Sequence, residues 1–508
     1  MKFSCYIIDE LVKSNIISDS SCVQMVSYDL PAQYSQYDVS IRVNDIKNIN
    51  VENLNKKLEI ISDGIIAGNY INFQIEWGTF IELLFQHISD NDNFCDFANS
   101  EYKDKKIAIE HTSITPVYPI NLATFRSSVI GEAIKNLLEH YGAKVKTHFF
   151  VEDLARQIEL LYKGIDSIEQ DFEEIETKGK IDHIFGKIFT ATYGKLKNNN
   201  VVLNRLEDMF PYGGNISFKE EISQKPLTIQ KRKEISEKCL KGYNQTLEIA
   251  KISINHYDFE SQFTYDFEEE AFKEPSIFKM LIETEQKIPY YLRNCAYFSG
   301  IKKSCDEFYT VISARQRESV NETLDALAST KGINAIYFGD VLISDDDEKN
   351  ALDSIKEGIF HSVDQYVDVM SKLYQCSCDM IINSLKFKML STSPNKCCCL
   401  DDTACNQHDN FFAIYNFIKA LNQYRESKKF VYDDSIKPLC KKIVKFEEVI
   451  KKILVDKNFS HLTSYLDSLY KEACSINDAN NNCVFEDARL RESICKIFQI
   501  SFEILDID

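Results

Sequence analysis

Residues 105–160 place the tightest limit on what this chain can fold into. Lys106 to Glu110 reads as a short apolar strand, Val129 to Tyr141 carries helical periodicity, and Lys144 to Phe150 reads as a second strand. Gly142 stands where a left-handed residue ends a helix. Strand, helix and strand in that order make a right-handed crossover between parallel neighbours, the opening of a nucleotide-binding sheet. The alternation returns downstream. Phe308 to Ile312 reads as a buried strand, Val320 to Ala328 as a helix and Ile333 to Ile343 as further β-structure. The predicted class is therefore α/β, with a Rossmann-like core built on a parallel sheet.

The rest of the chain divides around that core. Residues 1–100 predict a small α/β domain, with the alternating segments Val39 to Val43 and Gly68 to Ile75 followed by a helix from Trp77 to His87. Residues 101–355 predict the core, with a mostly helical insertion at about 180–300. Residues 356–508 predict an all-α domain without a strand. At 508 residues there is enough chain for several domains with cores of their own.

A hydrophobic content of 44 % belongs to a folded soluble chain, and the net charge of −19 argues against a broad basic coat for nucleic acid. A local basic face can still meet phosphates. No apolar run approaches the ~20 residues needed to cross a bilayer, so no membrane is expected as a partner. The first ten residues have no secretory pattern. The 16 cysteines then read as reduced thiols, and the expected location is the cytoplasm.

Residues 110–131 carry the most specific pattern. Glu110, His111, Thr112, Ser113, Pro116, Pro119, Arg126 and Gly131 match the E-H-T-S-A-N-P-x-G-P-L-H-x-G-H-x-R turn of arginyl-tRNA synthetases and its following helix. The chain resembles that class I family along most of its length. Gly68 to Phe73 is similar to its G-[FY]-[IV]-N-F strand, in a domain that touches the tRNA elbow. Phe149 to Ile158 is similar to Y-Y-V-N-D-x-G-x-Q-I, with Asp153 and Gln157 matching and Glu152 and Ala155 departing. Gly242 to Ser261 resembles G-x-x-x-T-L…F-D-x-x-x-x-E-S, which falls between the two halves of the sheet. Ser384-Leu385-Lys386-Phe387, His461 to Leu469 and Leu490 to Ile507 resemble pieces of the helical DALR-type anticodon-binding domain.

The resemblance implies a site whose working residues are replaced. The two signature histidines fall on Asn121 and Thr124, the glycine between them on Ala123, and the pocket asparagine on Thr115. In the family these histidines donate to ATP phosphates, and the glycine lets adenosine lie against the backbone. The rest of the implied substrate pocket is Ser113, Gln157, Tyr309 and Ala314. Ala314 stands at the position of the acid that would meet a substrate guanidinium, beside Arg315. The lysines of the second ATP motif give way to an acidic loop, Ser344 to Asn350, with Lys349 as its cation. No cofactor is expected, and ATP enters only if activity persists.

Residues 361–508 are nearly balanced in charge, so the rest of the chain carries most of the net −19. Lys441, Lys445 and Lys452 fall near one helical face; with Lys386 and Lys388 they are candidate phosphate contacts. The alternative is a solvated face with ion pairs to Glu447 and Glu448. Tyr415, with Phe411, Phe412 and Tyr424, can stack a splayed base or fill a core. Seven Cys and His residues crowd between Cys376 and His408. Only Cys405 and His408 have a zinc-like spacing; the other thiols read as buried or loop cysteines, and no metal site is predicted.

The expectation is a tRNA-binding homologue without aminoacylation activity, serving as an adaptor or scaffold for a protein partner such as a tRNA-modifying enzyme or a synthetase. The alternative is an active divergent arginine–tRNA ligase using ATP, arginine and tRNA.

Overall fold

The computed structural model describes residues 3–28, 30–54, 58–90, 101–167, 179–197, 227–264, 272–276, 280, 290–343, 362–400, 410–424, 432, 434–479, 485 and 487–507. The acidic loop 344–350 and the pair Cys405 and His408 lie outside the described residues. Apart from the last two residues, the chain falls into two compact units: residues 1–103 with 407–506, and residues 104–406.

The first unit begins with α1 (Phe3–Lys13), β1 (Val23–Ser27), β2 (Val39–Val43), α2 (Val51–Leu54), β3 (Ile61–Ala67), β4 (Tyr70–Ile75) and α3 (Trp77–Asp90). The strands pair antiparallel in the order β1-β2-β4-β3. Val39, Ile41 and Val43 share one face of β2, and Ile71, Phe73 and Ile75 one face of β4, and both sets are buried. Gly68, with φ 62°, turns β3 into β4, a conformation that costs glycine no steric strain.

The second unit holds β5 (Lys106–Glu110), α4 (Leu122–His140), β6 (Lys144–Val151), α5 (Arg156–Ser167), α6 (Ile181–Lys197), α7 (Ile229–Ile249) and β7 (His256–Phe259). It continues with α8 (Tyr290–Lys302), β8 (Glu307–Ser313), α9 (Arg317–Ala326), β9 (Ile333–Phe338), β10 (Val341–Ile343), α10 (Val363–Tyr374), α11 (Cys378–Ser391) and β11 (Cys398–Leu400). The main sheet is parallel throughout, in the order β7-β6-β5-β8-β9. Ile107, Ala108 and Ile109 of β5 are all buried, as a central strand covered on both faces requires.

Three details differ from the sequence reading. Helix α4 starts at Leu122, ahead of Val129, because the Asn121 side chain caps it. The polar Ser127 and Ser128 hide its early turns from the apolar pattern by bonding to the Thr124 carbonyl at 2.7 and 3.1 Å. The β-structure of 333–343 splits: β10 leaves the main sheet and pairs in parallel with β11. That second strand overturns the expectation of an all-helical stretch after 356. Cys398 and Leu400 point inward and Cys399 outward, so the cysteine run has a strand period.

The first unit is completed by α12 (Asn410–Gln423), α13 (Lys437–Asp456), α14 (Ser460–Ala479) and α15 (Ala488–Leu505). Ile443, Ile450, Leu462, Leu466, Ile494 and Ile497 are among the fully buried residues of these helices. Among the described residues no helix is long and apolar enough to cross a membrane.

Candidate active site

The chain runs β5 to β6 to β7 on one side and then returns to lay β8 against the other side of β5. The crevice beyond the carboxyl ends of β5 and β8 is thus the topological switch point, where open α/β sheets bind ligands. The turn from β5 to α4 starts at that edge of the sheet.

The residues that match the family frame hold this turn together. Thr112, two residues after β5, has φ 62°, a strained value for a β-branched residue. Its hydroxyl lies 2.7 Å from His111 Nδ1 and 2.6 Å from Ser128 Oγ, which fixes the strained backbone from both sides. A side chain on Gly131 would come within 2.5 Å of the His111 ring, so glycine there lets the ring lie against α4. Burial drives the His111 imidazole down to about 3 and keeps it neutral. Arg126 is fully buried and donates to four carbonyls: Gly339 at 2.8 Å, Lys396 at 2.7 Å, Ser393 at 3.1 Å and Thr392 at 3.4 Å. It is the peg joining α4 to the end of β9 and the loop before β11.

The replaced residues have structural duties of their own. Asn121 Oδ1 accepts from the Thr124 amide at 2.8 Å, so its acceptor is spent on the helix cap. Thr124 is 9 % exposed, and Ala123 is half-buried. Thr115 donates to Glu152 Oε2 at 2.6 Å. Both positions depart from the family pattern, and they bond to each other. Ser113 and Gln157 are half-buried. The Tyr309 hydroxyl donates to Glu307 Oε2 at 2.8 Å, toward the start of β8 and away from the crevice. Ala314 follows β8, and its neighbour Arg315 gives Nε at 3.0 Å and Nη2 at 2.5 Å to Asp340 Oδ2.

The floor of the crevice is acidic. Glu110 is fully buried and accepts a short hydrogen bond from Thr310. Burial pushes its carboxyl up to about 8, with Asp258 and Glu152 adding to the rise against the Thr310 bond. In register with Glu110 on β6 is His148, whose Nδ1 lies 2.7 Å from Asp258 Oδ2. Asp258 also accepts from the Tyr297 hydroxyl at 3.3 Å. Glu260 pairs with Arg293 at 2.6 Å, and Asp153 accepts from Ser261.

The candidate phosphate contacts separate by burial. Lys386 is 1 % exposed, which removes it from that set; it sits on a face of α11 that packs inward. Lys388 is half-buried. Lys441 reaches Asp38 Oδ1 at 2.6 Å, with Lys437 at 3.1 Å on the same atom. Burial alone would raise the Asp38 carboxyl; the two ammoniums and the Ile75 amide hold it below its usual range. Lys451 pairs with Glu447 at 2.6 Å, Lys445 is half-exposed and Lys452 is exposed. Tyr415 is half-buried with its ring 6.0 Å from Phe411, whereas Phe411 and Phe412 are core.

No family model matches the chain. It is 30 % identical to the arginine–tRNA ligase of Methanobrevibacter smithii over 232 residues, 45 % of this chain and 38 % of that protein. It is 21 % identical to the arginine–tRNA ligase of Methanosphaera stadtmanae over 496 residues, 88 % of this chain and 84 % of that protein. The solved Thermus thermophilus arginyl-tRNA synthetase superposes with a TM-score of 0.68 at 13 % identity, covering 100 % of this chain and 99 % of its own. This chain is homologous to arginyl-tRNA synthetases. In this synthetase homologue the residues that match the family's first turn pack against one another, and of those that depart from it Asn121, Thr115 and Glu152 bond within the fold. Two of these contacts were outside sequence reasoning. The Arg126 peg spans more than 200 residues, and the Thr115–Glu152 pair joins two loops.

Proposed function

We propose that this chain binds tRNA without activating an amino acid. Joining a carboxylate to the α-phosphate of ATP builds negative charge in the transition state, and catalysis rests on placement and donors aimed at that charge. The observation that carries the reading is the Asn121 cap: with Oδ1 bonded to the Thr124 amide, the side chain at the first histidine position is fixed at the start of α4 and has only its shorter Nδ2 to offer as a donor. Removing one such donor costs ~10²–10³ in rate, so losing two costs ~10⁴ or more. The acidic stretch Ser344 to Asn350 adds to that loss.

The tRNA assignment comes from the relatives, whose names are arginine–tRNA ligase. In this reading the chain keeps the three-part layout of 1–100, 101–355 and 356–508, with the first and the DALR-type last part gripping the RNA. Lys445, Lys452, Lys388 and Tyr415 are the proposed contacts. The bound tRNA is presented to a protein partner in the cytoplasm.

Arginine- and tRNA-dependent pyrophosphate exchange tests the loss of chemistry, with no exchange above background expected. Filter binding to total tRNA over a salt series tests the grip, with binding that weakens as salt rises expected. Absence of binding at low salt removes the RNA assignment. One observation favours the second reading, an active arginine–tRNA ligase: the half-buried Glu152 stands beside Thr115 at this turn, a carboxylate that can meet a cationic amino acid. Measurable exchange selects that reading.

A further inference from the structure

The starts of α6 and α10 meet α7 around one ammonium. Lys180 Nζ lies 2.5 Å from Asp364 Oδ2 and 3.3 Å from Asp182 Oδ2, and it also donates to the Thr246 hydroxyl. His183 Nε2 lies 2.7 Å from the same Asp364 oxygen. Thr246 in turn donates toward both Asp364 oxygens, at 3.1 and 3.2 Å. Gly242 on α7 makes the room, because a side chain there would collide with the Asp182 carboxyl.

Asp182, His183 and Asp364 each bring a ligand atom within 4.8 Å of the others. Asp182 is fully buried. Its Oδ1 accepts from the His183 amide at 3.0 Å, and its Oδ2 has no hydrogen bond among the described residues. That second oxygen faces the cluster, where Lys180 is its cation. Two carboxylates thus share one ammonium, and with a neutral imidazole the cluster carries one net negative charge. Burying a carboxylate that is not fully neutralised is costly. A divalent cation on the same three side chains balances the charge. Carboxylate oxygens and an imidazole nitrogen are ligands of zinc-type ions, held at ~2.0–2.2 Å and so about 3.4 Å from one another. An ammonium is larger and keeps them wider apart. The Lys180, His183 and Asp364 side chains are 20, 22 and 27 % exposed, so a cation has a way in and the ammonium a way out.

We propose that Asp182, His183 and Asp364 form a site for a divalent transition cation of the zinc type, with Lys180 holding the place until the cation displaces it. The Thr246 hydroxyl or a water completes four ligands. The bound cation ties α6 and α7 to the start of α10. Positions 182, 183 and 364 share no short motif, so spacing along the chain could not reveal them. Nothing in the site depends on whether the chain activates an amino acid.

The test titrates cobalt(II) into the full-length native chain, Lys180→Ala, His183→Gln and Asp364→Asn, and follows the visible and near-ultraviolet absorption. Thiolate ligation adds an intense near-ultraviolet band, so any cobalt taken up by cysteines is recognised and is common to all four chains. The native chain is expected to bind one further cobalt without that band. Lys180→Ala, with no ammonium to displace, is expected to bind it about ten-fold more tightly. His183→Gln and Asp364→Asn, each short of one ligand, are expected to bind it at least about ten-fold more weakly. Should Asp364→Asn fail to fold, His183→Gln alone carries that arm. A native chain that takes up no cobalt beyond the thiolate-bound part overturns the site, even if Lys180→Ala binds it. So does an affinity that His183→Gln and Asp364→Asn leave unchanged, or one that Lys180→Ala fails to raise. Pyrophosphate exchange by the native chain would end the non-catalytic reading without touching these affinities, so the two proposals fail separately.

Discussion

The start of α4 and the lysine face of α13 are the two places where the sequence offered contacts for phosphate, and they have fared differently. At the turn into α4 the polar groups work within the protein: the Asn121 acceptor caps a helix, Thr115 bonds Glu152, and Arg126 holds four carbonyls. On α13 the outcome is divided. Lys441 is tied to Asp38 and Lys451 to Glu447, while Lys452 stays exposed. The difference teaches that a polar residue is a candidate contact only as long as the fold leaves its charge unspent. A carboxylate at 2.6 Å has already taken much of what Lys441 could give to phosphate.

That contrast is most sharply broken at Arg126. Arg126→Met strips four buried carbonyls of their donor, so a loss of ~3–5 kcal/mol in urea denaturation is expected. Arg126→Lys should recover only part of it, because an ammonium cannot reach all four. Near-native stability in Arg126→Met would mean the frame was not kept for packing.

The Glu110 carboxyl gives the next effect, read against pH. Its folded value of about 8 stands above the ordinary 4.5, so the folded state holds a proton that the unfolded chain gives up between those values. Its contribution to stability is full below about 4.5 and is lost as the pH rises to about 8. Urea midpoints from pH 5 to 8 should fall in the native chain, and Glu110→Gln should flatten that fall. A slope identical in both would show that Glu110 is ionised in the fold.

Smaller still is the cap. Asn121→Ala should cost ~1 kcal/mol by thermal or urea unfolding, and Asn121→Asp close to nothing. An Asn121→Ala chain as stable as the native one would break the claim that this residue is spent. The smallest effect lies on α13. Lys445→Gln with Lys452→Gln should flatten the salt dependence of tRNA binding by about one unit of slope per lysine. Lys386→Met should leave that slope alone and lower stability instead. A change of slope at Lys386, with none at Lys445 and Lys452, would reverse the comparison.

The sequence was enough to give the class of fold, because periodicity and turn residues are local. Ile107–Ile109 and Phe149–Val151 are short apolar runs, Gly142 ends the intervening helix, and a parallel crossover has one hand. It also gave the homology, through residues whose order is local even where their contacts are not. The start of α4 escaped it because Asn121, Ser127 and Ser128 satisfy the backbone with polar atoms that no apolar period records. The strand at Cys398–Leu400 escaped it because only its parallel partner, Val341–Ile343, makes that run extended.

What tertiary structure alone decided is the fate of each polar group. Lys386 and Lys452 are the same residue type on the same class of helix, and only packing buries one and exposes the other. Asp38 with Lys441, Arg126 with Gly339, and Asp364 with Lys180 meet across 180 to more than 400 residues of chain. A charge is neutralised by whatever lies within a few ångströms of it. Distance in space, not position in the chain, therefore determines which residues of this protein remain free to bind.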